Sequence, residues 1–471
     1  FSVRNFTGCH ESGIASHTKY RSVTKNLKQA KRQDPLELKL PPYYPDTPIV
    51  REDWKRNYEL ITAMDEWVGE HLRALKASGE ADNTIVFFFS DHGVGLPRAK
   101  RWLYDSGTHI PLIVRIPNFF RVSSQGVPGT LDQQLVSSID LAPTVLKLAG
   151  IDVPDYMQGR AFLGKQLKVN REYVFGARDR MDERYDIIRM VRDKRFRYIR
   201  NYEPLKPYYQ YMNTPEKGAT MKEIRRSEKS DNLPLAARLF SAKKKPIEEL
   251  YDLKSDPHEI CNLSNDPNYI QQLKKMRQAH YKWVCETRDI GLIPEPEIVK
   301  RELVYGSRYE ILRQKNSPNM IVRLGETAAL ASSGKDALPL LLIATRDVDA
   351  AVRYWGVIGI GNIAPKKSVN ALLVTRKLLR DSSLSVRVAA SRALSRMGKP
   401  QESFPVLKNA LTEPDQWVRL QAAIVLDEME EQARPLISEL KKALINQPNK
   451  YIVRVANRAL NDLLNTDKQV R

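Results

Sequence analysis

The sequence predicts an α/β domain, then a small antiparallel α+β unit, then an all-α solenoid. Three observations carry that expectation. Over residues 1–168, apolar runs of strand length alternate with amphipathic stretches of helical spacing. Over residues 169–295, short strand-like segments are joined by turns. Over residues 296–471, a Val-Arg pair recurs at similar spacing, in most copies ahead of an Ala-rich apolar stretch. These three ranges are the expected domains.

Size and charge narrow the classes. A chain of 471 residues, 42% hydrophobic, is long enough for several buried cores. No apolar run approaches the roughly 18 residues of a membrane span, so none is expected. Against 56 Asp and Glu stand 76 Lys and Arg, a formal charge of +20. Such a surplus favours nucleic acid, an anionic membrane, or a sulfated or phosphorylated glycan, and fits a basic surface without a specific ligand equally well. Cys9, Cys261 and Cys285 show no C-x-x-C spacing, so neither a zinc knuckle nor a disulfide framework is indicated.

Taken in order, residues 1–7 read as the middle of a strand, with no initiator Met or signal peptide before them, so the chain is expected to be a fragment. Residues 53–78 set Leu60, Ile61, Met64, Trp67, Val68, Leu72 and Leu75 on one helical face, with Pro48 upstream as a breaker. Gly79 and Asp82-Asn83 turn the chain into residues 84–89, expected as a fully buried strand, and residues 111–116 give a second. A short helix over 138–149 carries Asp140 in its first turn. Buried strands between helices imply a mostly parallel sheet. Residues 173–177, 187–192, 197–199 and 249–253 are further strands, with a turn at Arg192-Asp-Lys-Arg195 and a helix over 269–287. The polar stretch 203–246, which ends near Lys243-Lys-Lys245, is expected as a surface loop.

The repeat is Val322-Arg323, Val352-Arg353, Val386-Arg387, Val418-Arg419 and Val453-Arg454, about 30–35 residues apart, with second helices such as 403–411 and 436–444 between copies. A helix pair that buries its face only against its neighbours builds a solenoid. The Asp-x-x-x-x-Val-Arg turn resembles HEAT repeats. Such an array offers a surface for a protein partner, or packs against the rest of the chain. No stacking aromatics or recognition motif points to nucleic acid, which is not expected as a partner.

Candidate chemistry gathers at strand ends. Asp91-His92-Gly93 follows the strand 84–89, where sites form in open α/β sheets, and its carboxylate and imidazole suit a divalent cation. Lys100, in the loop before the next strand, can reach the same rim with a point charge suited to a tetrahedral anion, or lie solvated at the surface. His10 closes the opening segment, placed to donate to an anion or to act as general acid, or to serve as a satisfied structural histidine.

Three blocks in this order resemble sulfatases of the alkaline-phosphatase superfamily. The first is Pro45-Asp-Thr-Pro48 with its helix and the run from Ala81 to Gly93. The second joins the run from Lys100 to Pro111 with Asp140-Leu-Ala-Pro-Thr-Val-Leu146 and Met157-Gln-Gly-Arg160. The third is Glu249-Leu-Tyr-Asp-Leu-Lys-Ser-Asp-Pro-His-Glu-Ile-Cys-Asn-Leu263. Together they cover about residues 1–290. The Thr7-to-Ser12 segment and Gly176-Ala-Arg-Asp-Arg-Met-Asp-Glu183 are similar to the heparan N-sulfatase-like branch. The resemblance implies an α/β sulfatase-type domain lacking its first strands, with an α+β subdomain and the solenoid after it.

It also implies roles. Asp91 and His92 match the pair that ligates a divalent cation, usually calcium. Lys100 matches the residue that binds the sulfate, and His10 the histidine that contacts the sulfate or its leaving oxygen. His109 stands where it is either a substrate contact or a loop-packing residue. Arg178, Arg180 and Arg189 either line a cleft for a sulfated polysaccharide or oligosaccharide or make ordinary ion pairs. The implied reaction is hydrolysis of a sulfate ester or sulfamate. A phosphoester or phosphonate hydrolase of the same superfamily and a non-catalytic binding protein are the alternatives.

One departure is larger than the rest. The family's formylglycine arises in a C/S-x-P/A-x-R motif, and none of the three cysteines stands in one. The usual paired N-terminal aspartates are missing too. This chain alone is therefore expected to be inactive, as part of a longer sulfatase. The family's members are commonly exported, which implies a periplasmic or secreted protein.

Overall fold

The computed structural model describes residues 1–121, 128–165, 167, 169–315, 317–364 and 368–470. The N-terminal unit runs α1 (Glu11–Ala15), α2 (His17–Thr24), α3 (Pro48–Ala77), β1 (Val86–Phe89), α4 (Asp105–Thr108), β2 (Leu112–Arg115) and α5 (Leu141–Leu148). Thr47 caps α3, its hydroxyl accepting the Val50 N–H. Pro48 is the first helical residue and not an upstream breaker, because its ring has the helical φ and no N–H is needed there. Asp140 and Ser137 form a capping box ahead of α5.

Three expectations fail in this unit. Residues 1–7 form no strand and are largely exposed, since no described strand lies beside them to complete a ladder. β1 and β2 are antiparallel, Val86 opposite Arg115 and Phe89 opposite Leu112, so the mostly parallel sheet is not what these residues build. The connecting loop is pinned to itself, with the Gly93 N–H donating to Gly107 O at 3.0 Å, and this returns the chain to the end of the ladder it left. A parallel pair needs a crossover to the opposite end. The strands are also not fully buried: Phe89 is 48% and Ile113 63% exposed.

The second unit is an antiparallel sheet in the order β3 (Val174–Met181), β4 (Arg184–Arg192), β5 (Phe196–Asn201) and β6 (Glu248–Asp252), followed by α8 (Ile270–Thr287). Between β5 and β6 lie α6 (Ala219–Lys229) and α7 (Leu235–Ser241). Both faces of the sheet are covered, and the strand period of two sorts the side chains. Ile188, Met190, Ile199 and Tyr251 face the N-terminal unit, where Trp54, Trp102 and Tyr104 meet them. Val191, Tyr198 and Leu250 face Leu273 and Met276 of α8.

The stretch 203–246 is not a surface loop. Tyr208, Tyr209, Met212, Met221, Ile224 and Phe240 are buried in the same core as Trp102. Its polarity is one-sided. Lys243 and Lys244 are exposed, but Lys245 is fully buried on Asp186, Nζ to Oδ2 2.6 Å. All three cysteines are free.

After α9 (Glu295–Tyr305) the helices stack in pairs: α10 (Ser317–Leu330) and α11 (Leu338–Ala344), α12 (Ala350–Ile363) and α13 (Val369–Leu378), α14 (Leu384–Arg396) and α15 (Phe404–Ala410), α16 (Gln416–Glu428) and α17 (Ile437–Lys442), then α18 (Lys450–Leu464). The recurring motif has a physical basis. Asp349, Ser383, Asp415 and Asn449 are successive N-caps whose side chains accept early helical N–H groups. Three residues on, Val352, Val386 and Val418 are buried. The arginines after them reach back to the preceding turn, Arg353 to the carbonyls of Asp347 and Val348, Arg387 to that of Asp381, and Arg419 to those of Glu413 and Pro414. In the first and last copies the register slips by one, and Ile321 and Ile452 take the buried place of Val322 and Val453.

The solenoid does not stand apart. One apolar core runs from Tyr185, Ile187 and Tyr202 of the sheet unit through Leu292 to the last helices. Trp355 Nε1 donates to Leu292 O across that junction at 2.7 Å.

His280, buried between the rings of Tyr198 and Tyr202, gives a pH prediction. Burial, with Arg200 and Arg189 nearby, pushes its pKa down to about 3. The unfolded ring takes up a proton near 6.5 that the folded one refuses, so this stability is present above that pH and is lost as pH falls toward 3. Between pH 7.5 and 5, urea unfolding is expected to show His280→Phe losing about 2 kcal/mol less than the unchanged protein. An identical pH dependence in both proteins would refute this.

Candidate functional site

The loop after β1 and the start of α1 face each other across a trough of about 2750 Å³. His10, Glu11, Asp91, His92, Asp105 and His109 line it. Backbone contacts set this loop closely. A Cβ on Gly93 would stand 1.9 Å from Ser106 O, and one on Gly95 would stand 2.7 Å from the Cβ of Glu11. The Lys100 N–H donates to Val94 O at 3.0 Å, which turns the lysine back toward α1.

His10 is the N-cap of α1 and not the end of a strand. Its Nδ1 accepts the Ser12 backbone N–H at 3.2 Å. In the neutral ring that places the proton on Nε2. Lys100 Nζ lies 3.2 Å from this Nε2. Two donors therefore converge, with Glu11 Oε1 to one side at 3.5 Å from Nζ and 3.8 Å from Nε2, and an anion's oxygen would be shared by both. Burial first, then the Lys100 charge, lowers the pKa of His10 and favours this neutral form. Lys19 Nζ, donating to Ser12 Oγ at 2.8 Å, adds a second ammonium beside the ring.

Beneath the pair, Glu11 receives Arg101 through both carboxylate oxygens at 2.8 Å, and Lys100 Nζ is 3.5 Å from its Oε1. Burial opposes ionisation of Glu11, yet the hydrogen bonds from Arg101 outweigh it and lower its pKa. Arg101 holds a left-handed backbone, φ 84°, and its Nε donates to Asp182 Oδ2 at 2.7 Å.

The second predicted pair is complementary. His92 Nδ1 is 2.7 Å from Gly93 O, a carbonyl that only accepts, so the proton sits on Nδ1 and the Nε2 lone pair is left open. That Nε2 lies 3.5 Å from Asp91 Oδ2. Two acceptors meeting in this way suit a cation. They are two of the six to eight donors that calcium takes, and among the described residues no group of three His, Cys, Asp or Glu forms a metal cluster. The residues present fit part of a cation site.

His109 is the C-cap of α4, largely exposed to the trough, with Nδ1 3.5 Å from Asp105 Oδ2. Asp105 also pairs with Arg192 and Arg197. Burial would raise its pKa, but His109 and these arginines hold it down at about 2. Glu259 closes the back of the loop, its Oε2 accepting the Asp105 N–H at 2.7 Å.

Three predicted arginines are elsewhere. Arg178 is buried beside Trp102, its guanidinium 5.4 Å from the ring, and does not line the trough. Arg180 pairs with Glu295 at 2.8 Å and lies over the rings of Trp417 and Tyr451, at the junction with the solenoid. Arg189 is fully buried on Asp289 and Asp179. Alternation along β3 and β4 turns these side chains into the protein. Glu11, Lys19, Arg101 and Asp182 were not singled out in the sequence. Their contacts span up to 90 residues, and no spacing rule in a single chain encodes such pairs.

Residues 4–151 match the sulfatase family model, residues 98–233 the model for the C-terminal region of N-sulphoglucosamine sulphohydrolase, and residues 337–427 and 373–461 the HEAT-repeat model. An ulvan-active sulfatase of Formosa agariphila is 38% identical over 328 residues, 64% of this chain and 54% of that protein. A second ulvan-active sulfatase of the same organism is 33% identical over 216 residues, 44% of this chain and 39% of that protein. Human N-sulphoglucosamine sulphohydrolase is 29% identical over 281 residues, 57% of this chain and 55% of that protein. The chain spans about half the length of these relatives or less.

Proposed function

We propose, starting from a chain that is sulfatase-family sequence followed by HEAT repeats, that it serves in the hydrolysis of sulfate esters or sulfamates on a sulfated polysaccharide or oligosaccharide. In this reading residues 1–168 belong to the catalytic domain, 169–295 to its C-terminal subdomain, and 296–471 to the solenoid. The observation that carries it is that His10, Asp91 and His92 line one trough, with Lys100 Nζ 3.2 Å from His10 Nε2 to make a donor pair and Asp91 with His92 to make an acceptor pair.

Lys100 and the His10 Nε2–H hold oxygens of the sulfuryl group. Charge grows on the bridging oxygen or nitrogen as its bond to sulfur breaks, and these preset donors stabilise it more in the transition state than in the ground state. Because Nδ1 is occupied by the Ser12 N–H, His10 acts as a neutral hydrogen-bond donor. Asp91 and His92 contribute ligands to a divalent cation, calcium in this reading, which when bound polarises the sulfuryl oxygens. His109, its Nδ1 turned to Asp105, offers Nε2 to the glycan. The nucleophile, a formylglycine in this reading, is not one of the three cysteines. Cys9 lies nearby, but burial raises the pKa of its thiol. A polymeric substrate of this kind goes with a periplasmic or secreted enzyme.

The test is release of inorganic sulfate by the full-length enzyme from sulfated polysaccharides and from glucosamine N-sulfate. Chelation is expected to lower the rate at least tenfold, with recovery on adding calcium. No sulfate release from any of these substrates would reject the reading, and preferential turnover of phosphate monoesters would replace it with phosphoester hydrolysis.

A further inference from the structure

The β3–β4 turn, residues 181–184, is held from two sides. On its outer side it meets the solenoid. Arg180 is 4.4 Å from the Trp417 ring of α16 and 5.0 Å from the Tyr451 ring of α18. Buried Glu183 pairs with Arg454 of α18 at 3.2 Å, and Arg184 pairs with Asp427 of α16 at 2.6 Å. The turn is thus tied to two solenoid helices through cation–π contacts and two largely buried ion pairs.

On its inner side the turn meets the anion-binding loop. Arg180 Nη1 donates to Asp182 O at 2.9 Å, and Asp182 itself has a left-handed backbone, φ 49°. Its carboxylate takes Arg101 Nε at 2.7 Å. A left-handed conformation is strained for a non-glycine residue, and the contacts of Arg101 hold it there. Those contacts are Asp182 and the two-oxygen grip of Glu11. Lys100 precedes Arg101 in the chain and His10 precedes Glu11, so this one salt-bridge triad sets both ends of the donor pair.

We infer that the solenoid is a positioning element for the anion site: it clamps the β3–β4 turn, and Asp182 on that turn fixes the Arg101–Glu11 pair that presents Lys100 and His10. The inference rests on reading those two side chains as the anion-binding pair. Asp182 and Arg101 act through others and are positioning residues. A solenoid that served only as a cover would meet the turn without this link to the loop.

The experiment uses the whole 471-residue chain, with two readouts: backbone amide exchange over residues 98–105, and titration with inorganic sulfate. The double variant Y451L/R454Q loosens the clamp from the solenoid side, W417L does so more mildly should the double variant fold poorly, and D182N removes the charge from the inner link alone. Each folded variant is expected to speed exchange in the loop about tenfold while β4 keeps its protection. Each is also expected to weaken sulfate binding about fivefold or more, whereas Arg454→Lys, which keeps a charge on Glu183, is expected to bind sulfate as the unaltered chain does. If the solenoid variants speed exchange in the turn and leave residues 98–105 unchanged, the inference is overturned. Absence of sulfate binding by the unaltered chain rejects the anion reading separately, and the exchange readout still decides whether solenoid and loop are coupled.

Discussion

Asp186→Asn is expected to cost about 3–5 kcal/mol of stability, because it strands a buried ammonium. Asp186 and Lys245 are both fully buried, with Nζ 2.6 Å from Oδ2. Burial lowers the pKa of Lys245, and the Asp186 charge and hydrogen bond oppose that fall. Arg178 makes the site more demanding. None of its guanidinium nitrogens has a hydrogen-bond partner, and Asp186 is the foremost charge favouring its protonated form. Neutralising the aspartate would leave two buried cations, with only the lesser charge of Asp182 acting on Arg178. Truncating both members of the ion pair, as in D186N/K245M, removes one of those cations and is expected to recover much of the loss. Urea unfolding of the two variants checks this. A single variant that loses less than about 1 kcal/mol would show that water or a local shift relieves the charge.

On the proposed sulfatase reading, Lys100→Ala in the full-length protein is expected to lower kcat about 10²–10³-fold, the usual loss on removing one preset donor from a developing oxyanion. The fold is expected to survive, because the ion pair of Lys100 with Glu11 is long at 3.5 Å. Glu11 retains Arg101 in the variant. Lys100→Arg is not a conservative replacement here, since a planar fork presents its donors in a different geometry from an ammonium facing His10 Nε2. Steady-state kinetics on a sulfated glycan separates the outcomes. A rise in KM with unchanged kcat would make Lys100 a ground-state binding residue, and no change in either constant would remove it from the site.

Much of this architecture was legible in the residues, and the misses have physical causes. Helix α3, the four strands from 174 to 252 and the helical repeat followed from period and punctuation. The Val-Arg spacing was readable because the three central copies repeat a local device, a capping side chain followed by an arginine that reaches back to the previous turn. The antiparallel pairing of β1 and β2 depends on Gly93 meeting Gly107, a tertiary contact that an apolar run cannot announce. The stretch 203–246 read as a loop because its lysines and arginines lower its mean hydropathy, while Met221, Ile224 and Phe240 supply a buried side. At the site, His10, Lys100, Asp91 and His92 were singled out by their place near predicted strand ends and by motif resemblance, and they face one another in pairs. Arg178 and Arg180 were chosen for charge, and charge does not say which way a strand residue points.

The apolar core that runs from Tyr185 and Tyr202 into the last solenoid helices also has a consequence for biosynthesis. A ribosome adds about 5–20 residues per second, so the helices that cover this face of the sheet emerge on the order of ten seconds or more after the strands themselves. Through that interval the nascent chain carries an uncovered apolar surface beside buried-type arginines that have not yet met Asp427 and Trp417. Newly made protein would depend on a chaperone to shield that surface, and a stop codon within the repeats would yield an aggregating product even though every residue of the trough had already been translated.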